Sequence, residues 1–395
     1  MNPPASFSSL PPELVSKICN DSGLYKEDLI ALRCTSKVQG IYASATKALG
    51  NRCFNYLPLL YTKHSLETFV KICQHPVFGP CVRTVVLSCA RFDPEDFSIA
   101  VRYMLGWLRD RREFSEKVQN LVARCDFEEW FEVRKVENML DQAFTQLSKS
   151  NHDLRVAVST EERSSLGRSK TLAATMNTSS WSANFPSALS LLLGSTKRTG
   201  CKVSTVVITA HSKYFYSGSH HDLSDLVHSV SELYLDVAII DRLGDAEPGN
   251  CRTWIKDLLS WSVNLKVLDI DLGIFFDDRY GVSDYDVDAL SRCISRMPLE
   301  ELHLRESYVY QKTYQKTMTD LLENLGSTLR RLLIGCDIIG SWKEVLVSMQ
   351  QNALQLEYLL IYARSCSSHD QGYKGTTAVR LGLEKMLQEF KVPSR

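Results

Sequence analysis

The sequence predicts an α/β fold in which parallel strands alternate with outer helices, preceded by three short N-terminal helices. The first observation is a strand pattern, apolar-x-x-apolar-x-apolar, that recurs along the chain in nearly identical form. The second is a switch of the hydrophobic period from about two residues in the strands to about 3.6 between them, which indicates a helix in each unit. Self-similarity of this kind is typical of a solenoid. The third is an N-terminal run of short amphipathic segments.

The N-terminal segments lie between Leu10 and Phe54. The Leu-Pro-Pro-Glu-Leu start places proline in a first helical turn, where its missing N–H would go unpaired anyway. Apolar residues recur at helical spacing in three stretches. Ser36 can cap the third helix, whose apolar stripe consists of Val38, Ile41, Tyr42, Ala45 and Leu49. Helices of this size bury too little apolar surface to be stable alone. A leftover apolar stripe should therefore be covered by a partner or by the following domain. In the first helix it consists of Leu10, Leu14 and Ile18, with Val15 beside them.

This N-terminal stretch resembles an F-box, the module that binds the Skp adaptor in Skp–cullin–F-box ubiquitin ligases. The positions that carry the resemblance are Leu10-Pro11, Glu13-Leu14-Val15, Ile18, Asp28-Leu29-Ile30, Leu32-Arg33, Ser36-Lys37 and Ile41. Gln39 stands where the family often has an aromatic residue, and the gap after Ile18 is longer than usual. The resemblance implies a complex with the Skp adaptor and, through it, with a cullin. It assigns the adaptor contact to Leu10, Pro11, Leu14, Val15, Ile18, Leu29 and Leu32.

Beyond Phe54, units of one patterned strand and one helix resemble leucine-rich repeats, although the asparagine that usually closes the strand segment is absent. The resemblance implies an irregular solenoid in which each unit buries its apolar face against its neighbours, so that the array folds as one body. A final helix at 377–390 should cap the open end. The predicted strands are 82–87, 203–208, 230–235, 265–270, 299–304, 329–334 and 356–361, and the apolar stripes between them predict helices at 223–230, 254–261, 287–294, 318–325 and 342–349.

An insertion at about 93–200 interrupts the regular units. It should contain two helices, near 97–108 and 127–147, an additional strand at 154–158 and a helix at 186–193. The segment 159–180 is rich in serine and threonine, a composition that cannot build a packed core and that indicates a mobile linker. The predicted domains are therefore an F-box at 1–55 and a solenoid at 56–395 that carries this insertion.

Composition excludes several classes of function. The 46 basic residues balance the 46 acidic ones, whereas electrostatic binding to nucleic acid or to an anionic membrane needs a basic surplus or cluster. No apolar run approaches the roughly 20 residues that span a bilayer, and from the first residues of the sequence we expect no secretory signal. The twelve cysteines are scattered without a CxxC pair, which is typical of reduced thiols. We expect a cytoplasmic or nuclear protein, or one found in both compartments.

Two groups of residues could suggest a metal site. Asp284, Asp286 and Asp288 alternate as calcium ligands do, but the glycine and the final glutamate of a calcium loop are missing. The set Cys73, His75, Cys81 and Cys89 has the ligand types of zinc but the spacing of no known finger. We therefore predict no metal and no cofactor.

Catalytic motifs are also absent: the sequence contains no GxSxG, GxxxxGK[ST] or GxGxxG. We predict no catalytic residue. An enzyme with an unrecognised site in the insertion, around Cys125 and His152, remains an alternative that would require a nucleophile and a base within hydrogen-bond reach.

The repeated strands should present one face outward, because alternate residues of a strand point to opposite sides. In three middle strands this face is polar, and concave faces of solenoids commonly bind other macromolecules. The alternative is a face that is merely solvated. The candidate substrate-binding residues are Tyr234, Asp236, Asp269, Asp271, Glu301, His303 and Arg305.

The two resemblances together imply a non-catalytic adaptor, similar to fungal F-box proteins. The F-box would bind the Skp adaptor, and the solenoid would hold an unknown protein substrate near the ubiquitin-charged enzyme. The alternative from another class is a repeat-protein scaffold without any link to ubiquitination, whose N-terminal helices bury Leu10, Leu14 and Ile18 within the chain.

Overall fold

A computed structural model describes residues 10–21, 23–35, 39–60, 62–88, 133–150, 152–159, 185–211, 223–238, 248–271, 290–305, 313–335, 342–352, 355–361 and 371–389. Within these residues the fold is α/β, as the sequence predicts: a ten-stranded, mostly parallel sheet alternates with helices in a solenoid-like arrangement, and the strands follow chain order. The chain forms two compact units. The first comprises Met1–Ala157, Glu162–Ser182 and Gly194–Lys202, and the second comprises Val158–Glu161, Ala183–Leu193 and Val203–Arg395.

The first unit begins with three helices and continues with alternating strands and helices. Its elements are α1 (Pro12–Cys19), α2 (Lys26–Thr35), α3 (Gln39–Cys53), β1 (Tyr56–Leu59), α4 (Lys63–Gln74), β2 (Thr84–Ser88), α5 (Val133–Leu147) and most of β3 (Leu154–Ser159). Thr62 caps α4 by accepting a hydrogen bond from the backbone N–H of Ser65 at 3.3 Å. Phe69 of α4 meets Phe144 of α5 edge to face, with ring centroids 5.9 Å apart. These two aromatic side chains are fully buried and hold the pair of helices together.

The second unit contains the regular repeats. Its elements after α6 (Phe185–Thr199), of which only the first part belongs to this unit, are β4 (Val203–His211), α7 (Ser224–Val227), β5 (Glu232–Ala238), α8 (Pro248–Trp261), β6 (Val267–Asp271), β7 (Glu301–Arg305), α9 (Thr313–Leu325), β8 (Arg331–Gly335), α10 (Trp342–Asn352), β9 (Tyr358–Ile361), β10 (Gln371–Lys374) and α11 (Thr376–Glu389). A short helical segment at 290–294 precedes β7. The strands β4 to β9 pair in parallel, and β10 is antiparallel to β9.

The strand pattern explains how the repeats stack. In β6 the side chains of Leu268 and Ile270 are buried, and Val267, Asp269 and Asp271, which alternate with them, are half-buried. The first apolar residue of that pattern, Leu265, is buried just before the strand begins. Leu299, Leu329 and Leu356 occupy the same place before β7, β8 and β9, and all are buried. Each repeat thus contributes three apolar side chains to the core, two from the strand and one from the turn that leads into it.

Several sequence predictions differ from the structure in their bounds. All seven predicted patterns coincide with strands, and the additional strand at 154–158 is β3. The helix predicted at 223–230 is only the single turn α7, because Val230 lies in the approach to β5. The helix predicted at 186–193 continues to Thr199. Three elements were not predicted from the sequence: β1, α4 and β10.

Other predictions fall partly or wholly outside the described residues. The helix near 97–108 and the serine- and threonine-rich segment after Ser159 lie outside them. The helix near 127–147 is described from Val133 onward, as α5. In the part of the chain that the structure describes, no helix combines the length and the apolar character needed to cross a bilayer.

Candidate functional site

The three N-terminal helices close around a small core of their own. Seven buried side chains form it: Val15, Cys19, Leu29, Ile41, Ala45, Ala48 and Leu49. Leu10, Leu24, Leu32 and Cys53 are partly buried against this core. Arg52 at the end of α3 donates hydrogen bonds to the backbone carbonyls of Asp21 and Leu24, which ties the connection between α1 and α2 to α3. The bundle is therefore held together by contacts among its own helices.

The residues predicted to contact an adaptor divide into three groups by exposure. Leu14 is 47% exposed, and Pro11 is exposed as well. Leu10, Ile18 and Leu32 are half-buried. Val15 and Leu29 lie inside the core, 3% and 0% exposed, so a contact by either side chain would require the helices to separate.

Three further large hydrophobic side chains of the bundle are exposed: Tyr25 just before α2, Ile30 of α2 and Tyr42 of α3. Tyr42 is held in place, because its hydroxyl accepts a hydrogen bond from Nη2 of Arg33 at 3.3 Å. The same guanidinium lies 5.5 Å from the centroid of the Tyr42 ring and 5.6 Å from that of Phe78. The periodicity of α3 suggested that Tyr42 faces inward with Ile41, but Tyr42 lies on the outer face.

The polar face predicted on the middle strands is assembled by the parallel register of β5, β6 and β7. Tyr234 is opposite Asp269, and Asp269 is opposite His303. Two residues further along β6 and β7, Asp271 is opposite Arg305. We name this set of seven residues, Tyr234, Asp236, Asp269, Asp271, Glu301, His303 and Arg305, the polar sheet face. All but Arg305 are half-buried.

His303 lies between two carboxylates. Its Nδ1 is 3.3 Å from Oδ2 of Asp269, and its Nε2 is 2.6 Å from Oε1 of Glu301. Burial alone would lower the pKa of His303, but the hydrogen bonds and charges of Asp269 and Glu301 outweigh burial and raise this pKa. With both ring nitrogens close to acceptors, the imidazolium form fits the site better than either neutral tautomer.

Arg305 completes the charge balance around Asp269. Its Nε donates to Oδ1 of Asp269 at 2.6 Å, and its Nη1 is 3.8 Å from Oδ2 of Asp236. Burial alone would raise the pKa of Asp269, but the hydrogen bonds from His303 and Arg305 lower it below its ordinary value. Asp269 is therefore an ionised carboxylate with two cationic neighbours, in a site where its side chain is only 15% exposed.

The structure extends this network to residues that the sequence analysis did not select as candidates. Nη1 of Arg331 is 3.1 Å from Oε2 of Glu301, and its guanidinium lies 5.3 Å from the centroid of the Tyr358 ring. At the other side, the Thr205 hydroxyl donates to Oε2 of Glu232 at 3.0 Å. Aligning the repeats could have found Arg331, because it occupies the same place in its repeat as Glu301.

The groups considered for metal binding or catalysis are not assembled into a site by the described residues. Burial raises the pKa of the Cys73 thiol, and it also raises that of Cys81. His152 donates from Nε2 to the carbonyl of Val82 at 2.7 Å. Within the described ranges, no three His, Cys, Asp or Glu residues are placed to hold a metal ion. The structure does not describe Cys89, Cys125, Asp284, Asp286 and Asp288.

A scan against protein-family models finds no match for the chain, and a search of curated proteins finds no relative.

Proposed function

We propose that the chain is a non-catalytic adaptor that binds a Skp-type partner through its N-terminal helices and a protein substrate through the polar sheet face. The observation that carries the first half is the position of Leu14. The opposite face of α1 contributes Val15 and Cys19 to the closed core of the bundle, yet Leu14 is 47% exposed one residue away. Leu14 is therefore accessible to a partner.

The bundle offers such a partner a defined surface. Pro11 and Leu14 are exposed at the start of α1, and Leu10 and Ile18 are half-buried beside them. Val15 and Leu29 support this surface from inside rather than contact the partner. Of the residues suggested by the F-box resemblance, Val15 and Leu29 are therefore left out of the proposed contact surface.

The polar sheet face supports the second half of the proposal. Its charges are largely paired among themselves, so little side-chain ordering would accompany binding. Tyr234 lies beside this network, with its hydroxyl 3.5 Å from Oε2 of Glu232. Aromatic residues and arginine are enriched at protein interfaces.

As an adaptor the chain would form or break no covalent bond in the substrate. It would raise the effective concentration of the substrate near the ubiquitin-charged enzyme, because tethering converts a bimolecular encounter into an intramolecular one.

The test is binding of the full chain to a purified Skp adaptor. Leu14→Asp should weaken binding at least tenfold, because a carboxylate would be placed in an apolar contact. The substitution should leave the thermal unfolding midpoint unchanged, since Leu14 lies outside the core and an acidic residue in the first turn of a helix is favourable.

Two variants serve as controls in the same experiment. Leu381→Asp places the same charge at another exposed leucine, in α11, at 56% exposure, and Tyr234→Ala alters the polar sheet face. Both should bind the adaptor like the unaltered chain. Equal binding by Leu14→Asp, or no binding by the unaltered chain, would contradict the proposal and leave an interaction scaffold without a ligase connection.

A further inference from the structure

The first unit contains an open cavity of about 410 Å³ between the end of α4, the start of β2 and the end of α5. Its volume lies within the range of small-ligand sites. Such sites are usually lined by apolar side chains, whereas this lining is mostly polar and includes Arg83, Lys149, His75 and His152. Among the described residues, no aspartate or glutamate lines it. The cavity shares no lining residue with the exposed face of α1 or with the polar sheet face.

Arg83 is held at the cavity by the backbone. Its Nη1 donates to the carbonyls of Pro80 at 2.9 Å and of Val82 at 3.2 Å. A guanidinium has five N–H donors in a fixed plane, so three of them, on Nε and Nη2, are not used by these two bonds. A guanidinium fixed in this way loses little freedom when it binds an anion.

Lys149 supplies a second positive charge. Its Nζ donates to Oε1 of Gln146 at 2.9 Å, which leaves two of its three N–H donors outside that bond. In the part of the chain that the structure describes, neither Lys149 nor Arg83 forms an ion pair with a carboxylate. Two cations with spare donors therefore line one cavity.

Hydrogen bonds to the backbone fix which ring nitrogen of His75 carries a proton. Nδ1 of His75 accepts from the backbone N–H groups of Val77 and Phe78, both at 3.2 Å, so its proton lies on Nε2. The His75 ring is kept in this orientation by stacking on Phe78, with centroids 4.1 Å apart. His75 thus presents the N–H of Nε2 as a hydrogen-bond donor.

The helix ends at the cavity reduce its positive charge. The C-termini of α4 and α5 each contribute a negative partial charge of about half a unit. Together they offset about one of the two full positive charges of Arg83 and Lys149. The cavity therefore keeps a positive surplus, and all its charged side chains are donors.

We propose that this cavity binds a phosphate-class oxyanion, held by Arg83 and Lys149. The anion is either a free phosphate or a phosphate group on a side chain of another protein. Both sources present the same tetrahedral set of oxygen acceptors, which suits a fork of guanidinium donors and an ammonium group. The proposal does not depend on the adaptor function.

The test is calorimetric titration of the full chain with inorganic phosphate at low salt, followed by Lys149→Gln and Arg83→Gln. Each substitution should weaken phosphate binding about tenfold, because a hydrogen bond between charged partners contributes enough for such a change. Lys71→Gln is the matched control: it removes one positive charge from an exposed position of α4 that does not line the cavity. Phosphate binding by this variant should be unchanged.

A second titration distinguishes the two sources. The probes are a blocked Gly-phosphoserine-Gly peptide and its unphosphorylated counterpart. Binding of the phosphorylated peptide at least tenfold tighter than inorganic phosphate indicates a phosphorylated protein, and equal binding indicates a free phosphate. Absence of binding by both phosphate probes, or equal binding by Lys149→Gln and the unaltered chain, overturns the proposal. Lys149 is exposed and has a single side-chain partner, so this variant remains informative even if Arg83→Gln does not fold.

Discussion

His303 contributes a half-buried positive charge to the polar sheet face. Its side chain is 18% exposed and lies between the carboxylates of Asp269 and Glu301. Hydrogen bonds between ionised partners are stronger than those between neutral ones, and here they outweigh the desolvation of the ring. The protonated histidine therefore stabilises β6 and β7 against each other.

This arrangement predicts the pH dependence of stability. The pKa of His303 is raised in the folded state, so its contribution is complete below the unfolded pKa of about 6.5 and is lost as the pH rises through the folded pKa. The pKa of Asp269 is lowered, so its contribution is present above about pH 3.9 and is lost as the pH falls through the folded pKa. Urea unfolding between about pH 5 and about pH 9 tests the alkaline limb.

His303→Gln isolates this contribution. The difference in unfolding free energy between the unaltered chain and His303→Gln should be largest near pH 5 to 6 and should shrink toward about pH 9. His228→Gln is the control, because His228 is an exposed histidine in the same unit. A difference that does not change with pH would show that folding leaves the pKa of His303 unshifted, and one that grows as the pH rises would show that folding lowers this pKa.

The sequence could predict which residues lie on the polar sheet face but not how they pair. Alternation along β6 and β7 places Asp269 and His303 on one side. Which carboxylate meets the histidine depends on the register between strands and on rotamers, and no local pattern encodes these. The orientation of Tyr42 could not be predicted for a related reason. Helical spacing groups Tyr42 with Ile41, whereas the packing of the three helices buries only a narrow face of α3.

At the scale of elements, the contact between α9 and α10 depends on a glycine. Gly326 follows the last residue of α9, and a Cβ placed there would lie 2.7 Å from the carbonyl carbon of Asn352 and still closer to its oxygen. Asn352 is the last residue of α10. The backbone of one helix end thus approaches the other more closely than any side chain allows.

Gly326→Ala should therefore lower the unfolding free energy by about 2 kcal/mol, since the obstructing atoms are backbone and cannot rotate away. Gly335→Ala is the matched control: its Cβ would lie 3.7 Å from the carbonyl oxygen of Leu304, an ordinary contact. The control should change the unfolding free energy by no more than about 0.5 kcal/mol. Equal urea midpoints for the two variants would show that the ends of α9 and α10 can move apart at little cost.

Elements with a strong apolar pattern were predictable, and elements defined by their neighbours were not. The seven strands that match the pattern bury alternate side chains, so their own sequences indicate a strand. β10 has the sequence Gln-Gly-Tyr-Lys and pairs through its backbone with Leu359 and Leu360, so its composition gives no indication of a strand. β1 contains Pro58, which disfavours a strand in isolation.

For the whole molecule, the repeated strand pattern and the helical stripes between the strands were sufficient to predict a solenoid-like α/β fold. The division into two compact units was not predictable in this form, because it depends on contacts far apart in the sequence. The described part of the insertion is divided between the units: α5 and most of β3 belong to the first, and the first part of α6 belongs to the second. Its helix α5 supplies Phe144 to the core that it shares with α4, so that this part of the insertion is structural.

The C-terminal elements β10 and α11 cover the end of the repeat array in the second unit. In a repeat array each unit stacks only on its neighbours, so a terminal unit needs a cap with a polar outer face. Here β10 covers the edge of β9, and α11 buries Val379, Leu383, Met386 and Leu387 while Leu381 faces outward. An uncovered strand edge presents unpaired N–H and C=O groups that can pair with another chain.

Ending the chain after Ile361 removes this cap. The shortened chain should associate with increasing concentration and unfold at a lower urea concentration, because it would expose the edge of β9 together with the apolar surface that α11 covers. Size-exclusion chromatography with light scattering measures the first effect. The full-length Leu381→Asp variant is the control, since it alters only the outer face of α11 and should match the unaltered chain. If the shortened chain keeps the apparent oligomeric state and unfolding midpoint of the full chain, then β9 is stable as an edge strand and β10 with α11 is not needed as a cap.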